Sequence, residues 1–398
     1  MSHRWIAGMA MLAVVAVFVG LSGDTLGRAQ PQTAVATTPW GEPDLQGVWT
    51  DPYATNLQRH PSLGEREFYT EEEVADLDRR RIDSQQRPRA ARGSIADVAG
   101  AYDGLYISMR PTGRRTSRIV DPPDGRLPPL TPEVQQRRAG LREYALALKQ
   151  NTSTCRNKEG DCANGTYGPP SPRREEMPPS YSTINLNRAN GPEDRSSGER
   201  CMATRLPVFN GYWRIVQSPG VVSIYYDVGQ GQGFHRTIPV TDRPHLPAHV
   251  REPFGDSRGR WEDNTLVVDV TNFEPYLDFQ NAREHLHLVE RWTLRDADTI
   301  EYSVTIDDST TWTRSWTTKQ ELERQDGQLN RIYYEPRCHE GNLGMVGLLQ
   351  GNRAVERAFA EGRGPDPASF DISSNSNTLG TGSNDPLGDP DQIEEVVR

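Results

Sequence analysis

Between Leu206 and Pro336, apolar and polar residues alternate with a period of two in short runs separated by turn residues, the pattern of antiparallel strands. The clearest run is TIEYSVTI, where Ile300, Tyr302, Val304 and Ile306 share one face and Glu301, Ser303 and Thr305 the other, with Asp296-Ala297-Asp298 as the hairpin before it. The periodicity predicts strands over 206–217, 220–228, 234–241, 260–271, 285–295, 298–307, 311–323 and 329–336. About eight strands suffice for a closed barrel whose interior holds side chains or one small ligand. The expected fold class is therefore mainly β, an antiparallel eight-stranded barrel or a β-sandwich, with an irregular, partly helical N-terminal wrap.

The segment before the strands has a different pattern. Thr70 and Glu73 form a capping box, and the run that follows places Val74, Leu77 and Arg81 on one helical face, ending before Pro88. Thr131-Pro132 opens a second helix to about Lys149, with Leu141, Tyr144, Ala145 and Leu148 as its apolar stripe. Pro122-Pro123-Asp124-Gly125 between them is a turn. From Asn151 to Arg200 apolar periodicity is almost lost, which predicts an irregular wrapping segment, and the chain from Gly362 onward has the composition of disorder. At the other end, Arg4, an apolar run from Ile6 to Leu21 and the small residues Gly27 and Ala29 read as a signal peptide cleaved after Ala29, with Ala36 as the alternative site. The expected organisation is a signal peptide over 1–29, a Pro/Arg-rich wrap with two helices over 30–205, an antiparallel β domain over 206–361 and a disordered tail over 362–398.

Composition narrows the partners and the compartment. A net charge of -10 and a pI near 5.4 argue against nucleic acid and against an acidic membrane surface. No second hydrophobic run follows the leader, so no integral membrane span is expected after cleavage, and the protein is expected to be periplasmic or secreted. Mean hydropathy is -0.73 and there are 30 prolines, as for a chain with much loop. Four cysteines in an exported chain suggest two disulfides. Cys155 pairs most simply with Cys162 across a short polar loop, which leaves Cys201, at the entrance to the β region, for Cys338 at its exit.

Candidate chemistry concentrates in three places. In HLHLVERWTL, alternation puts His285, His287, Val289 and Arg291 on one face and Leu286, Leu288, Glu290, Trp292 and Leu294 on the other. With the leucine and tryptophan face packed on the N-terminal wrap, the His/His/Arg face points into the barrel lumen. His285 and His287, at i and i+2, form a weak metal-binding pair for a divalent ion, with His235, Asp269 or His339 as a third ligand; the alternative is ordinary hydrogen-bonded surface histidines. In EPRCHEGN, His339 and Glu340 form an acid/base pair, or else a turn fixed by Cys338 and Gly341; Leu343 stands where a zincin motif needs its second histidine. Trp261, Trp292, Trp312 and Trp316 lie among Arg258, Arg260, Arg291 and Arg314, a composition suited to stacking on an amphipathic molecule and clamping its anionic group, or to filling a core. DRPHLP adds His245, with His249 held off its helical face by Pro247. There is no GxSxG elbow and no P-loop, and GQGQG (Gly229 to Gly233) reads as a hairpin.

Taken together, PDLQGVW, EFYTEEE, RRTSRIVDPPDGRLPPLTPE, RPHLP, GDSRGRWEDNTLVVDVTNF, HLVERWTL, DDSTTWTR and CHEGN resemble a family of exported bacterial hypothetical proteins from Pro43 to about Arg357, and the meander is similar to calycin, or lipocalin-like, barrels. The resemblance implies no activity. The residues themselves suggest a protein acting on a small amphipathic organic molecule, as a lyase, isomerase or hydrolase without organic cofactor. In that reading His287 or His339 is the base, Glu340 or Asp269 orients it, Arg291 and Arg314 hold an anionic group, and the tryptophans stack on the substrate. The alternatives are a non-catalytic carrier with an apolar lumen and solvent-facing histidines, and a structural envelope-associated protein.

Overall fold

The computed structural model of the 398-residue chain describes residues 35–85, 110–179, 186–196, 199–201, 205–209, 211–229, 232–276, 278–325 and 342–373. The segment expected as a signal peptide over 1–29, the strand expected over 329–336, and Cys338, His339 and Glu340 lie outside these residues.

Among the described residues ten strands form: β1 (Gly47–Thr50), β2 (Ile119–Asp121), β3 (Tyr212–Ser218), β4 (Val221–Gly229), β5 (Gln232–Pro239), β6 (Asp256–Glu262), β7 (Thr265–Thr271), β8 (His287–Leu294), β9 (Thr299–Asp307) and β10 (Trp316–Arg324). Nine of them run edge to edge in the order β5-β4-β3-β1-β10-β9-β8-β7-β6, and β2 pairs with β10 beside this path. Each neighbouring pair along the path is antiparallel. The two ends, β5 and β6, consequently run the same way, and they meet through a parallel bridge between Val240 and Gly259, with the Thr241 N–H donating to the Gly259 carbonyl at 2.9 Å. The result is a nearly closed, barrel-like sheet.

Two differences from the strand pattern have local causes. The run expected as one strand over 260–271 is a hairpin, because Asp263 adopts φ 51° and turns the chain at Asp263-Asn264 between β6 and β7. The strand β1, fourth along the path, is only four residues long and comes from the N-terminal region, where it fills the gap between β3 and β10. Gly47 opens it at φ 144°, a conformation in which a Cβ would collide with the Arg324 guanidinium. That guanidinium lies 4.3 Å from the Trp49 ring centre, so one cation–π contact fixes β1 against the last strand.

The helices follow their capping residues. The helix α1 (Glu71–Gln85) starts at the capping box, with Glu73 N–H donating to Thr70 Oγ1 at 3.2 Å and Thr70 N–H donating to Glu73 Oε2 at 2.8 Å. The second helix, α2 (Pro132–Lys149), buries Leu141, Tyr144 and Leu148 with Leu186 in a small cluster of its own. A short helix α3 (Ser153–Asn157) carries Cys155, which is bonded to Cys162 as expected. Cys201 is disulfide-bonded too. A fourth helix, α4 (Leu343–Ala360), is capped by the Asn342 side chain accepting from the Met345 N–H at 3.1 Å and was not anticipated from the pattern. Among the described residues no helix is long and apolar enough to cross a membrane.

Side chains fill the barrel interior. Trp213 on β3 meets Trp292 on β8 and Tyr302 on β9, each at 5.4 Å between ring centres, although several strands separate β3 from β8 along the sheet. Leu286, Leu288, Trp292 and Leu294 join this core, so the orientation expected for β8 is reversed: its leucine and tryptophan face points inward, and His287 and Arg291 point out. The free energy of burying four large apolar side chains, at about 1.5–3 kcal/mol each, decides which face turns in.

One charge goes in with them. Glu290 is fully buried, its Oε2 2.6 Å from Nη2 of the equally buried Arg236 on β5. The Tyr302 hydroxyl donates to Glu290 Oε1 at 2.7 Å, and Arg236 Nε donates to Ser257 Oγ on β6 at 3.0 Å. Burial, reinforced by the neighbouring Glu290 carboxylate, raises the Tyr302 hydroxyl well above its ordinary range and keeps it protonated as a donor. Removing one member of such a pair strands its partner in the core. Glu290→Ala is therefore expected to destabilise the fold by about 3–5 kcal/mol, whereas replacing Arg236 and Glu290 together by Met and Leu should recover most of the loss. Urea denaturation of both variants checks this; a double variant that loses as much as Glu290→Ala, or more, would show that the stranded charge is not what destabilises the single variant.

Candidate functional site

The outward faces of β6, β7 and β8 carry the polar residues that period-two alternation leaves outside. Register places Asp256 opposite Thr271, Arg258 opposite Asp269 and Arg260 opposite Val267. Asp269 in turn sits opposite Val289, one position along that face of β8 from His287. Residues 240–246, which follow β5, cross this face at the barrel seam.

His245 is the residue by which the crossing segment is held. Its Nδ1 lies 2.8 Å from Asp256 Oδ2 and its Nε2 2.8 Å from Asp269 Oδ1. The residues on either side are tied to the same strands: Arg258 Nε donates to the Pro244 carbonyl at 3.2 Å, and the Leu246 N–H donates to Asp256 Oδ2 at 2.9 Å. A guanidinium N–H of Arg258 also donates to Asp256 Oδ1. Ionised carboxylates only accept, so both His245 contacts are hydrogen bonds together only when both ring nitrogens carry protons.

The second oxygen of Asp269 is taken by His287, whose Nε2 stands 3.1 Å from Oδ2. This bond is the main reason that the His287 ring is raised above its ordinary value of 6.5; Asp307, opposite it on β9, adds attraction, and partial burial opposes both. Seen from the other side, the same bond is the main cause that holds the Asp269 carboxyl below its ordinary pKa, with His245 contributing less. His287 is about 40% exposed, and its Nδ1 makes no hydrogen bond to a described residue.

Next to Asp269 the seam opens into a groove of about 240 Å³, lined by Thr241, Arg243, His245, Arg258, Arg260 and Asp269 among others. Arg243 is exposed at its edge, while Arg260 and Arg291 share the carboxylate of Glu262. The walls present guanidinium groups and a carboxylate bridging two imidazoles. They can accept an anionic group, with the carboxylate that holds His287 in the same wall.

Of the residues singled out in the sequence, Asp269 and His287 are brought together. Arg291 shares their face but is turned to Glu262. His285 is exposed ahead of β8, and His235 lies against the Tyr225 ring on the neighbouring strand at 4.6 Å. Arg314 makes a two-point ion pair with Asp121 beside β10, three strands from β7. Trp312 and Trp316 are buried against each other at 5.4 Å, and Trp261 faces inward onto the core. No group of three or more His, Cys, Asp or Glu among the described residues is disposed to hold a metal ion. His339 and Glu340 lie outside those residues.

His245, which the sequence offered only as a lone histidine in DRPHLP, and Asp256, which it did not single out, carry as much of the site as Asp269 and His287. The usable signal was the prolines on both sides of His245 in DRPHLP, which hold the loop extended, and the outward parity of Asp256 with Arg258 and Arg260.

No protein-family model matches the chain, and no curated protein matches it. Among solved structures, the chain is similar to one described as "REP1-NXSQ fatty acid transporter", with 9% identity over 29% of this chain and 71% of that one, at a TM-score of 0.21. A likeness of that size supports neither a function nor a detailed fold correspondence.

The pH dependence of the site follows from the His287–Asp269 pair. The raised histidine contributes stability that is fully present below its unfolded value of 6.5 and is lost as pH climbs through the higher folded value. The lowered carboxyl contributes stability that is present above 3.8 and is lost as pH falls through its folded value. These are one interaction seen from two sides, complete between 3.8 and 6.5. In wild-type protein the His287 ring followed by NMR should titrate above 6.5, and in Asp269→Asn its midpoint should fall. A midpoint that Asp269→Asn leaves in place would mean that the bond is not formed in solution.

Proposed function

We propose that the protein binds a small amphipathic molecule with an anionic group in the seam groove and performs acid–base chemistry on it, as a lyase, isomerase or hydrolase without organic cofactor. The observation that carries this reading is the His287–Asp269 pair: one ring nitrogen of His287 is held by the carboxylate while the other makes no hydrogen bond to a described residue, and the same Asp269 lines a groove walled by arginines. A histidine held in this way is oriented and its proton affinity set, as a general acid or base requires. Arg243 at the groove edge is suited to a carboxylate or phosphate, which guanidinium groups bind in a planar, two-point fashion, while Arg258 in the wall is turned to Asp256 and Pro244 and adds positive charge. His245 is not the base, since both of its nitrogens are engaged. His339 and Glu340 remain candidates for the same chemistry. The bonded Cys155–Cys162 pair is in keeping with a periplasmic or secreted location.

A carrier is the second reading, favoured by the apolar interior and the outward histidines. The filled interior argues against it, because a hydrophobic ligand would have to displace the Trp213, Trp292 and Tyr302 cluster.

Thermal shift against small aromatic and aliphatic carboxylates and phosphate monoesters separates the two. Stabilisation by an anionic compound that Arg243→Ala abolishes places binding in the groove, whereas stabilisation only by uncharged long-chain compounds favours the carrier. For a compound that is turned over, His287→Ala should cut the rate by about 10²–10⁴-fold at an almost unchanged melting temperature. A rate lost only together with the fold would sink the catalytic reading.

A further inference from the structure

We propose that His245 is a positioning residue that shares the Asp269 carboxylate with His287 and thereby fixes both the direction and the proton affinity of the acid–base pair, an inference that deepens the acid–base reading above. The two oxygens of Asp269 are divided between two rings, Oδ1 to His245 Nε2 at 2.8 Å and Oδ2 to His287 Nε2 at 3.1 Å. A carboxylate held at both oxygens cannot rotate about its terminal torsion, so His245 sets the plane in which Asp269 meets His287. The hold on His245 is itself complete. Asp256 takes its other nitrogen, and Pro244 and Leu246 are tied to Arg258 and Asp256.

The electrostatic consequence has a definite sign. Asp256 and Arg258 face His245 from β6, Asp269 from β7, and His287 and Asp307 stand beyond Asp269 on β8 and β9; Asp242, Arg243 and His249 belong to its own segment. The hydrogen bond from His245 Nε2 to Oδ1 draws on the Asp269 charge that His287 would otherwise have to itself. His245 thus holds His287 less basic than Asp269 alone would make it. This moderation keeps the ring able to give up its proton near neutrality, where a more strongly raised group would stay charged and idle.

His245→Gln replaces the imidazole on Asp269 by a neutral amide, a weaker hydrogen-bond donor. Asp256→Asn leaves the ring in place and replaces the carboxylate behind it by an amide. In both variants the His287 midpoint, followed by NMR in the full chain, should move upward, by roughly half a unit or more in His245→Gln. A role limited to pinning the loop predicts the opposite, because a released Asp269 would weaken its bond to His287 and the midpoint would fall. An unchanged or lowered midpoint overturns the proposal. If His245→Gln loses the native spectrum, the sign of the Asp256→Asn shift decides alone. The readout does not require turnover, so an inactive wild type with an upward shift would reject the enzymatic reading and leave the coupling intact.

Discussion

With nine strands each antiparallel to the next, the ends of the sheet are obliged to run in the same direction, and the barrel must close along a parallel seam. Parallel pairing is somewhat weaker per residue, and no hairpin can link such neighbours. The chain between β5 and β6 has to travel back along the barrel before it can begin again. It does so across the outside of β6 and β7, and side chains do much of the closing: Arg236 reaches Ser257 from within, and His245 reaches Asp256 and Asp269 from without. The candidate site stands where the topology leaves the sheet least supported by backbone bonds.

Much of the fold was legible because alternation reports a buried face directly. Ile300, Tyr302, Val304 and Ile306 are buried as their parity requires, and the capping residues Thr70 and Thr131 start helices where they should. What escaped was whatever depends on distant partners. Four residues, Gly47–Thr50, are too few for a period to show, and they become a strand only because β3 and β10 leave a gap of that width. The β8 pattern was read correctly as two faces, but a pattern cannot say which face meets the core. The energy of burying Leu288, Trp292 and Leu294, with Glu290 neutralised by Arg236, settled the question against the histidines.

The site was half legible for the same reason. His287 and Asp269 stood out as chemistry-bearing residues on strands, and strand parity puts them on one surface. Their partners His245 and Asp256 are 11 residues apart and on different kinds of element, so only the path forced on the loop by the seam brings them into contact. Arginine and tryptophan, by contrast, misled as a pair. Arg314 and Trp316 are near neighbours in sequence, yet one lies in a surface ion pair with Asp121 and the other is buried in the core.

The inner and outer polar networks are not independent, because they share strands. Ser257, the inward partner of Arg236, lies between Asp256 and Arg258, the outward partners of His245. Glu290 lies between Val289, which faces Asp269, and Arg291 on the outer surface of β8. A shift of β6 relative to β5 that lengthened the Arg236–Ser257 bond would also move Asp256 against His245, since the backbone between adjacent residues has no slack to absorb it. The buried ion pair therefore does more than offset its own desolvation. By holding β5, β6 and β8 in register from inside, it keeps the outer carboxylates at the spacing that a single imidazole can bridge.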